Sequence, residues 1–512
     1  MHKYPKLETS SFYRTITSWF SSQNLAIALV IFGIAVRVVQ YLSNRSLWAD
    51  EATLALNIVH RSFLELFQPL DYDQGAPIGF LLGEKLAVQV FGDTEYALRL
   101  FPLLSGVAAI FLFYQLAQQW LQHSGQQVAL LLFVCLNPLI YYSSEVKQYS
   151  SDVAIALLLG LFIPRFQVRL THQQAFIRAS IGAIVVWFSH PAVFVLAGLE
   201  ASNLLNEWLT HKKIKILEKI PTYAAWLVSF GLVYFVSLRN LGSDEELLQS
   251  WRKAFPSHWF DVAWGLDALG KFFSNPLGFS QNYTDAIAIL AFLVGSVSLF
   301  RRHRKVLWFA LAPIAVTLAA SYLQKYPFRS RLLIFLIPFF LLLIAEGIHF
   351  VCTRKSKVAR LLSISLSAIL LFTPIAKAST LLAQPQLKEE IKPVMGYIQA
   401  QRQPGDLVYV YQRGIYQFQY YAKKLGFAEG SYVLGVDDLD TDNNVRTLSE
   451  IEKQRYKADL DKLRGRQRVW LLFAHANVGV ENAFIESYLN QVGKRSDTFV
   501  SPGAYVYLYD LR

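Results

Sequence analysis

Apolar stretches, separated by short polar segments, follow one another along the chain up to residue 376. A run of about 20 apolar residues crosses the hydrocarbon core of a bilayer as an α-helix. The pattern therefore predicts a multi-pass membrane protein with about eleven crossing helices. The predicted crossings lie at 25–42, 97–120, 127–142, 151–164, 177–189, 191–208, 221–238, 285–300, 306–321, 332–350 and 361–376.

After residue 385 the pattern changes to that of a soluble domain. The pattern predicts a helix at residues 388–402, a turn at QPGD and a charged helix at 447–464. It predicts buried strands at LVYVY, RVWLLFAH and YVYLYDL. Helices that alternate with apolar strands are typical of a small α/β domain. The predicted fold class is an α-helical polytopic membrane protein, with a membrane domain at 25–376 and a C-terminal α/β domain at 385–512.

Basic loops predict how the chain is oriented in the membrane. Positive charges cluster near the N-terminus and in the loops 211–219, 301–305 and 354–360. Loops rich in Lys and Arg stay in the cytoplasm, and no small-residue cleavage pattern follows the first apolar stretch, so we expect a retained first span and a cytoplasmic segment 1–24. An odd number of crossings then places the C-terminal domain on the exoplasmic side, in the periplasm if the membrane is the inner membrane of a bacterium.

Two long loops are predicted on the exoplasmic side, at 43–96 and 239–284. The first contains PIGFLLGEKLAVQVF, which is too short to cross a bilayer. Polar residues interrupt its apolar positions, which favours an amphipathic interfacial helix whose charged face, with Glu84 and Lys85, is open to a cavity. A buried core helix is the alternative. The second loop is rich in aromatic and charged residues and fits either a mobile lid or an interfacial cap.

Composition agrees with a membrane protein and argues against a nucleic-acid partner. Hydrophobic residues make up 54% of the chain and charged residues 17%, below the roughly 25% of soluble domains. The net charge is +12, but the positive residues gather at the ends of predicted spans, where orientation explains them. We therefore expect no nucleic acid as partner. The glycines of the C-terminal domain lack GxGxxG spacing. Gly430 and Gly435 are spaced as in a Walker loop, but Val436 and Asp437 stand where Lys and Ser or Thr are required.

Two adjacent carboxylates, Asp50 and Glu51 in LWADEATLALNI, follow the first span and begin an apolar stretch suited to a juxtamembrane helix. Neighbouring residues on a helix point about 100° apart, so one carboxylate can face a cavity while the other binds a structural partner. A functional interpretation makes Asp50 a general base and Glu51 its support. The alternative is that both are solvated or cap the helix N-terminus.

Four motifs in this order, WADEA, DYDQGAPIGFLLGEKLAVQVFGDTEYALRL, NPLIYYSSEVKQYSSD and YPFRSRLLIFLIP, resemble those of the polytopic GT-C glycosyltransferases. This superfamily includes the protein O-mannosyltransferases and the aminoarabinose transferases. The resemblance covers residues 25–375 and is nearest to a bacterial branch of unassigned acceptor. It implies a GT-C membrane domain and gives Asp50 the role of the catalytic aspartate of the loop, with Glu51 at the second position of the motif.

The resemblance also implies a set of residues around that aspartate. Arg331, Arg329, Lys147, Arg99 and Lys85 are the predicted donor or phosphate ligands. The other predicted cavity residues are Gln74, Glu84, Glu145, Tyr149 and His190. Gln74 is the nearest polar substitute for a histidine that many relatives carry. Arg99 is expected to pair with either a carboxylate or a phosphate, because an unpaired arginine in the membrane is costly. For the arginines the alternative is anchoring at the membrane interface, and for His190 it is a structural role.

The resemblance implies an inverting, plasma-membrane glycosyltransferase that moves a sugar from a polyprenyl-phosphate carrier to an exoplasmic glycan, lipid or protein. Such a lipid presents its phosphate at headgroup level, where cations and a carboxylate base are needed. No cofactor is predicted, and a divalent cation stays open because Asp and Glu sites cannot be recognised in one sequence. The alternatives are a transporter or lipid flippase that uses these charges as a substrate path, and a non-catalytic scaffold.

Overall fold

The computed structural model describes residues 22–165, 171–212, 214, 216–239, 251–281, 283–354, 356–436, 447–475 and 479–512. Most of the predicted cytoplasmic segment 1–24 and residues 240–250 of the second predicted loop lie outside this range. The helices of the first part of the chain are α1 (Ser22–Leu42), α2 (Ala49–His60), α3 (Ile78–Phe91), α4 (Glu95–Trp120), α5 (His123–Cys135), α6 (Asn137–Tyr141), α7 (Tyr149–Phe162), α8 (His172–Phe188), α9 (Ala192–His211), α10 (Ile216–Val233), α11 (Val262–Ser274), α12 (Thr284–Arg302), α13 (Arg304–Tyr322), α14 (Ile337–Cys352) and α15 (Lys357–Ala383).

Helices occupy all eleven segments that the sequence predicts to cross the membrane. Within the described residues, seven helices are long and apolar enough to span a bilayer, or eight if the bent pair α5 and α6 forms one span. That pair bends by 57° at Leu136, just before Pro138, because proline cannot continue the preceding helix. The remaining predicted crossings, α7 to α9, are shorter or more polar, so the total of eleven stays a prediction. The chain is a polytopic membrane protein.

The most buried helix of the membrane domain is α14, and it packs closely against α12. Gly295 on α12 and Gly347 on α14 face each other's backbone, and a Cβ atom at either position would collide with a carbonyl oxygen of the partner helix. Small residues at such a crossing let two membrane helices approach and gain dispersion contacts. A turn of 3₁₀-helix, Ser330–Leu336, precedes α14 and holds Arg331.

The juxtamembrane helix α3 is buried on its polar side. Glu84 and Lys85 are 0% and 7% exposed, whereas Leu86 and Val90 are 57% and 63% exposed. The expectation that the charged face of this helix is open to a cavity is therefore wrong. The buried side belongs to the protein core, as the alternative proposed, while the outward apolar side fits contact with lipid.

The C-terminal part of the chain is a mixed α/β domain, as predicted. Its helices and strands are α16 (Ile391–Gln401), β1 (Leu407–Val410), α17 (Ile415–Ala422), β2 (Tyr432–Leu434), α18 (Glu450–Asp461), β3 (Val469–Ala474), α19 (Gly479–Val492), β4 (Lys494–Ser501) and β5 (Ala504–Asp510). The strand order is β2-β1-β3-β5-β4, with β1 parallel to β2 and β3 and the other pairs antiparallel. Residues 469–474 of β3 are all buried, as expected of a central strand.

The C-terminal domain and the start of α2 lie at one end of the helix bundle. Glu390 accepts hydrogen bonds from Ser46, which places the domain on the loop before α2. The basic loop 301–305 lies at the other end, because Arg302 pairs with Glu346 near the far end of α14. The relative placement agrees with the predicted topology, while the assignment of sides as cytoplasmic and exoplasmic stays a prediction.

Candidate functional site

Helix α2 begins directly after Trp48 and carries two carboxylates in its first turn. Negative side chains are favoured there because the free N–H groups and the helix dipole are positive at that end. Asp50 and Glu51 are one residue apart and project toward different partners, as the helix geometry predicts. Glu51 is fully buried, and the Asp50 side chain is 18% exposed. Glu51 accepts a long 3.4 Å hydrogen bond from the Trp48 N–H, so the capping alternative holds in part for Glu51.

Asp50 forms two ion pairs in a largely enclosed position. One carboxylate oxygen lies 2.9 Å from Lys147 Nζ, and the other lies 2.7 Å from an Nη atom of Arg331. Burial alone would raise the pKa of Asp50, but Lys147 and then Arg331 outweigh this effect and lower it. The carboxylate is therefore ionised at neutral pH. The structure brings together Asp50, Lys147 and Arg331, as the sequence predicts, from three distant parts of the chain.

Glu51 is engaged by structural partners instead. It is fully buried and binds Arg99 through two hydrogen bonds of 3.0 and 2.8 Å. The Val146 N–H donates to the same carboxylate at 2.9 Å, and Arg45 lies 3.8 Å away. Arg99 also donates hydrogen bonds to the backbone carbonyl oxygens of residues 45 and 46. Arg99 therefore binds Glu51 and not a phosphate. Glu51 stabilises the loop before α2 and does not face a substrate.

The indole of Trp48 forms one wall of the Asp50 site. Its Nε1 donates a 3.2 Å hydrogen bond to Glu145, and the Arg331 guanidinium lies 5.6 Å from the ring centre. Lys388, from the connection between α15 and the C-terminal domain, places its amine 2.7 Å from the centre of the same ring. Sequence reasoning missed Lys388, because KEE after the last span shows only the start of a helix.

Glu145 lies where the sequence motif predicts it, beside the ionised cluster. Burial, followed by repulsion from Glu51, raises its pKa to about 7, although Arg45, Lys388 and Arg331 oppose this shift. Tyr149 packs near Arg331, whose guanidinium lies 5.9 Å from the tyrosine ring centre. Glu145 therefore titrates near neutral pH beside the cations.

A cavity of about 180 Å³ adjoins the ion pairs. Gln74 lines it and accepts a 2.6 Å hydrogen bond from Lys147, so the amide connects the cavity wall to the partner of Asp50. Ser237 lines the cavity too and lies 3.3 Å from Nε2 of His190. Burial lowers the pKa of His190 to about 4, so its ring is neutral at physiological pH and cannot serve as a phosphate-binding cation.

The backbone beside this cavity is strained. Tyr72 and Asp73 have φ values of 64° and 53°, a left-handed conformation that costs non-glycine residues energy. The Tyr72 ring lies 4.6 Å from that of Tyr416 in the C-terminal domain. Contact with the second domain therefore accompanies the strained turn at the edge of the cavity.

Three further predicted site residues also form no ion pair with Asp50 in the described part of the chain. Lys85 donates to the carbonyl oxygens of Ile58 and Val59, so it caps the far end of α2 instead of binding a donor. Glu84 is buried, and neither of its carboxylate oxygens has a hydrogen-bond partner within the described part of the chain. Arg329 is exposed and forms no salt bridge among the described residues. Of the two arginines in YPFRSRLLIFLIP that are predicted to bind phosphate, Arg331 is therefore the one that pairs with Asp50.

The C-terminal domain holds the loop that carries Asp50. Glu389 accepts a 3.0 Å hydrogen bond from the N–H of Ala49, one of the free amides at the start of α2. Other contacts between the two domains are Glu390 with Ser46, Gln417 with the Leu47 carbonyl, Tyr421 with the Leu47 N–H, Lys392 with Glu95, and Lys424 with Asp93. The placement of Asp50 therefore depends on both domains.

Over the described ranges, no group of three or more His, Cys, Asp or Glu side chains is close enough to hold a metal ion.

Comparison with solved structures identifies the fold. The chain is similar to ArnT from Cupriavidus metallidurans in the apo state, with a TM-score of 0.52, 13% identity, and coverage of 96% of this chain and 98% of that one. ArnT bound to undecaprenyl phosphate matches with a TM-score of 0.51, 11% identity, and coverage of 94% and 97%. The Archaeoglobus fulgidus oligosaccharyltransferase in the apo form matches with a TM-score of 0.54, 10% identity, and coverage of 96% and 74%.

These proteins belong to the GT-C superfamily, so the chain has the GT-C fold that its motifs predict. No known protein-family profile matches the sequence. No curated protein matches it significantly either. The similarity is one of fold, and the function must be argued from the site.

Proposed function

We propose that this protein is a membrane glycosyltransferase that moves a sugar from a polyprenyl-phosphate-linked donor to an acceptor on the exoplasmic side. The observation that carries the proposal is the Asp50 carboxylate, paired with Lys147 and Arg331 at one end of a GT-C helix bundle. One of the similar ArnT structures holds undecaprenyl phosphate, and an archaeal oligosaccharyltransferase structure of similar fold holds a dolichol-phosphate with an inhibitory peptide. Both lipids have the chemistry proposed for the carrier.

The charges suit such a donor. A lipid-linked sugar phosphate presents an anion at headgroup level, and Arg and Lys side chains bind phosphate oxygens by charge-assisted hydrogen bonds. Asp50 forms ion pairs with both cations when no substrate is bound. The donor phosphate takes over Arg331 and Lys147 and releases the carboxylate to act as a base.

The transfer step then follows an inverting displacement. The acceptor oxygen or nitrogen attacks the anomeric carbon and forms the new glycosidic bond, while Asp50 takes its proton. The bond from that carbon to the phosphate oxygen breaks, and its electron pair stays on the lipid phosphate beside the cations. Because base and leaving group lie on opposite faces of the sugar in such a reaction, the Asp50 ion pairs have to open before transfer.

The first test is donor consumption by purified protein in detergent, with radiolabelled polyprenyl-phosphate sugars as donors and membrane extract as acceptor. We expect wild type to consume one donor, and Arg331→Gln to lower kcat/KM by about 10²–10³-fold because one stabilising contact to the departing phosphate is lost. Arg329→Gln, two residues away and exposed, should stay within about threefold of wild type, since surface changes are usually mild.

Two outcomes would contradict the proposal. If the intact lipid-linked sugar moves across the vesicle membrane and the sugar is not released from the lipid, the protein is a flippase instead. Equal losses in the Arg329 and Arg331 variants would show that the proposed contact to the departing phosphate is not specific to Arg331.

Donor binding should also depend on pH through Glu145. Its pKa is raised to about 7, so below that pH the group is neutral, and above it a negative charge appears beside Arg331 and Lys388. We expect KM for the donor to rise several-fold between about pH 6 and pH 8. Glu145→Gln should keep KM low throughout this range. A pH-dependent KM that is unchanged in the Gln variant would assign the titration to another group.

A further inference from the structure

We infer that Lys388, held in place by the C-terminal domain, is a phosphate-binding residue of the Asp50 site, so that docking of this domain completes the site. The inference rests on the proposed function and extends it. It gives the C-terminal domain a defined part in donor binding and identifies one residue that carries it.

Lys388 reaches the site across the indole of Trp48. Its amine lies 2.7 Å from the ring centre, and the Arg331 guanidinium lies 5.6 Å from the same centre. An aromatic ring can hold a cation at its face without neutralising its charge. Trp48 therefore places Lys388 and Arg331 next to Asp50, which lies in the first turn of α2.

Side chains beside Lys388 fix its position. The Glu389 carboxylate accepts hydrogen bonds from the Ala49 N–H and from Gln417 Nε2, both at 3.0 Å, and it lies 2.7 Å from Nδ1 of His475. Two of these partners belong to the C-terminal domain and one to α2. The buried Glu389 side chain thus ties the backbone next to Lys388 to the helix that carries Asp50.

The turn between β4 and β5 supports the same segment from the other side. The Glu390 N–H donates to the Pro502 carbonyl at 2.7 Å. Gly503 has a φ of 68° and approaches the backbone of residues 388 and 389 so closely that a Cβ atom would collide with the Lys388 carbonyl oxygen. The Lys388 backbone is therefore packed between the membrane domain and the C-terminal sheet.

The charge of Lys388 is available to a ligand. Among the described residues it forms no salt bridge, unlike its neighbour Lys392, which pairs with Glu95. Lys147, Arg331 and Lys388 lie near the Asp50 carboxylate, and Lys388 also faces Glu389 and Glu145. Burial lowers the pKa of Lys388 because it removes part of the hydration of the ammonium group. An anionic phosphate would compensate this desolvation.

The test is equilibrium binding of undecaprenyl phosphate to the purified full-length protein in detergent, at low and at high salt. We expect Lys388→Gln to raise Kd about tenfold at low salt, as the loss of one charge-assisted contact predicts. Lys388→Arg should restore most of the affinity because it keeps the charge. Lys423→Gln, at an exposed lysine of the same domain, serves as the matched control and should bind like wild type.

The outcomes separate this inference from the proposed function. If Lys388→Gln binds as tightly as wild type while Arg331→Gln binds weakly, Lys388 is not a phosphate ligand and the proposed function stands. If wild type itself does not bind undecaprenyl phosphate, or binds it as weakly as Arg331→Gln, both are overturned. A lower thermal midpoint in Lys388→Gln, without rescue of binding by Lys388→Arg, would assign a structural role and overturn the inference.

Discussion

Asp50→Asn should lower the rate of sugar transfer by about 10²–10⁴-fold, the range expected when a general base is removed. The amide has the size of the carboxylate but cannot take the acceptor proton. Asp50 also forms ion pairs with Lys147 and Arg331 in the free protein. Its replacement therefore frees two cations, and undecaprenyl phosphate should bind the variant at least as tightly as it binds wild type. The measurements are single-turnover transfer and lipid-phosphate binding on the same preparations.

A variant at an exposed carboxylate serves as the control for both measurements, the rate of transfer and the binding of lipid phosphate. Asp267→Asn removes an exposed carboxylate that pairs with Lys271 on the surface of α11, and it should leave both quantities unchanged. Loss of transfer with intact binding assigns Asp50 to the chemical step. Full transfer activity in Asp50→Asn would mean that another group accepts the proton, and the assignment of the base would fail.

The second large effect is expected on stability. Glu51→Gln should lower the free energy of unfolding by about 3–5 kcal/mol, because it leaves the buried Arg99 guanidinium without its carboxylate. Glu51 and Arg99 are both nearly inaccessible to solvent and share two hydrogen bonds. The measurement is thermal or denaturant unfolding of the full-length protein in detergent, followed by the fluorescence of the tryptophans.

A double-mutant cycle checks that this pair is the cause. Arg99→Gln alone should be about as destabilising as Glu51→Gln, whereas the double variant should lose clearly less than the sum of the two, since no uncompensated charge remains at that pair. Additive losses would show that the two side chains are not coupled. A Glu51→Gln protein as stable as wild type would show that Arg99 finds another partner.

Local pattern predicted much of the secondary structure. Every segment expected to cross the membrane is helical, because a long apolar run satisfies its backbone polar groups internally only as a helix. The strands β1, β3 and β5 were recognisable as short apolar runs. Strand β4 was not, because KRSDTFVS lies at the edge of the sheet and is mostly exposed, so its composition is polar. Strand β2 has only three residues and gives no detectable period.

The motifs predicted only part of the contacts among the charged residues. They identified Asp50, Lys147 and Arg331, and in the structure the two cations lie 2.9 and 2.7 Å from the Asp50 carboxylate. They also named Arg99 and Lys85 as phosphate ligands, although Arg99 pairs with Glu51 and Lys85 caps α2. Like Lys147 and Arg331, these two residues are cations beside a predicted exoplasmic loop. Spacing along the chain does not distinguish a cation that faces a cavity from one that binds a buried carboxylate.

By itself, the sequence determined the run of helices, the soluble C-terminal domain and the residue types that surround Asp50, because periodicity and hydropathy act over neighbouring residues. Only the tertiary structure decided which charges meet. Lys388 lies more than 300 positions after Trp48, and it reaches the indole because Glu389 and Glu390 bind the loop before α2 and its first amide. Such pairings depend on how buried polar groups find partners across the two domains, which no local pattern records.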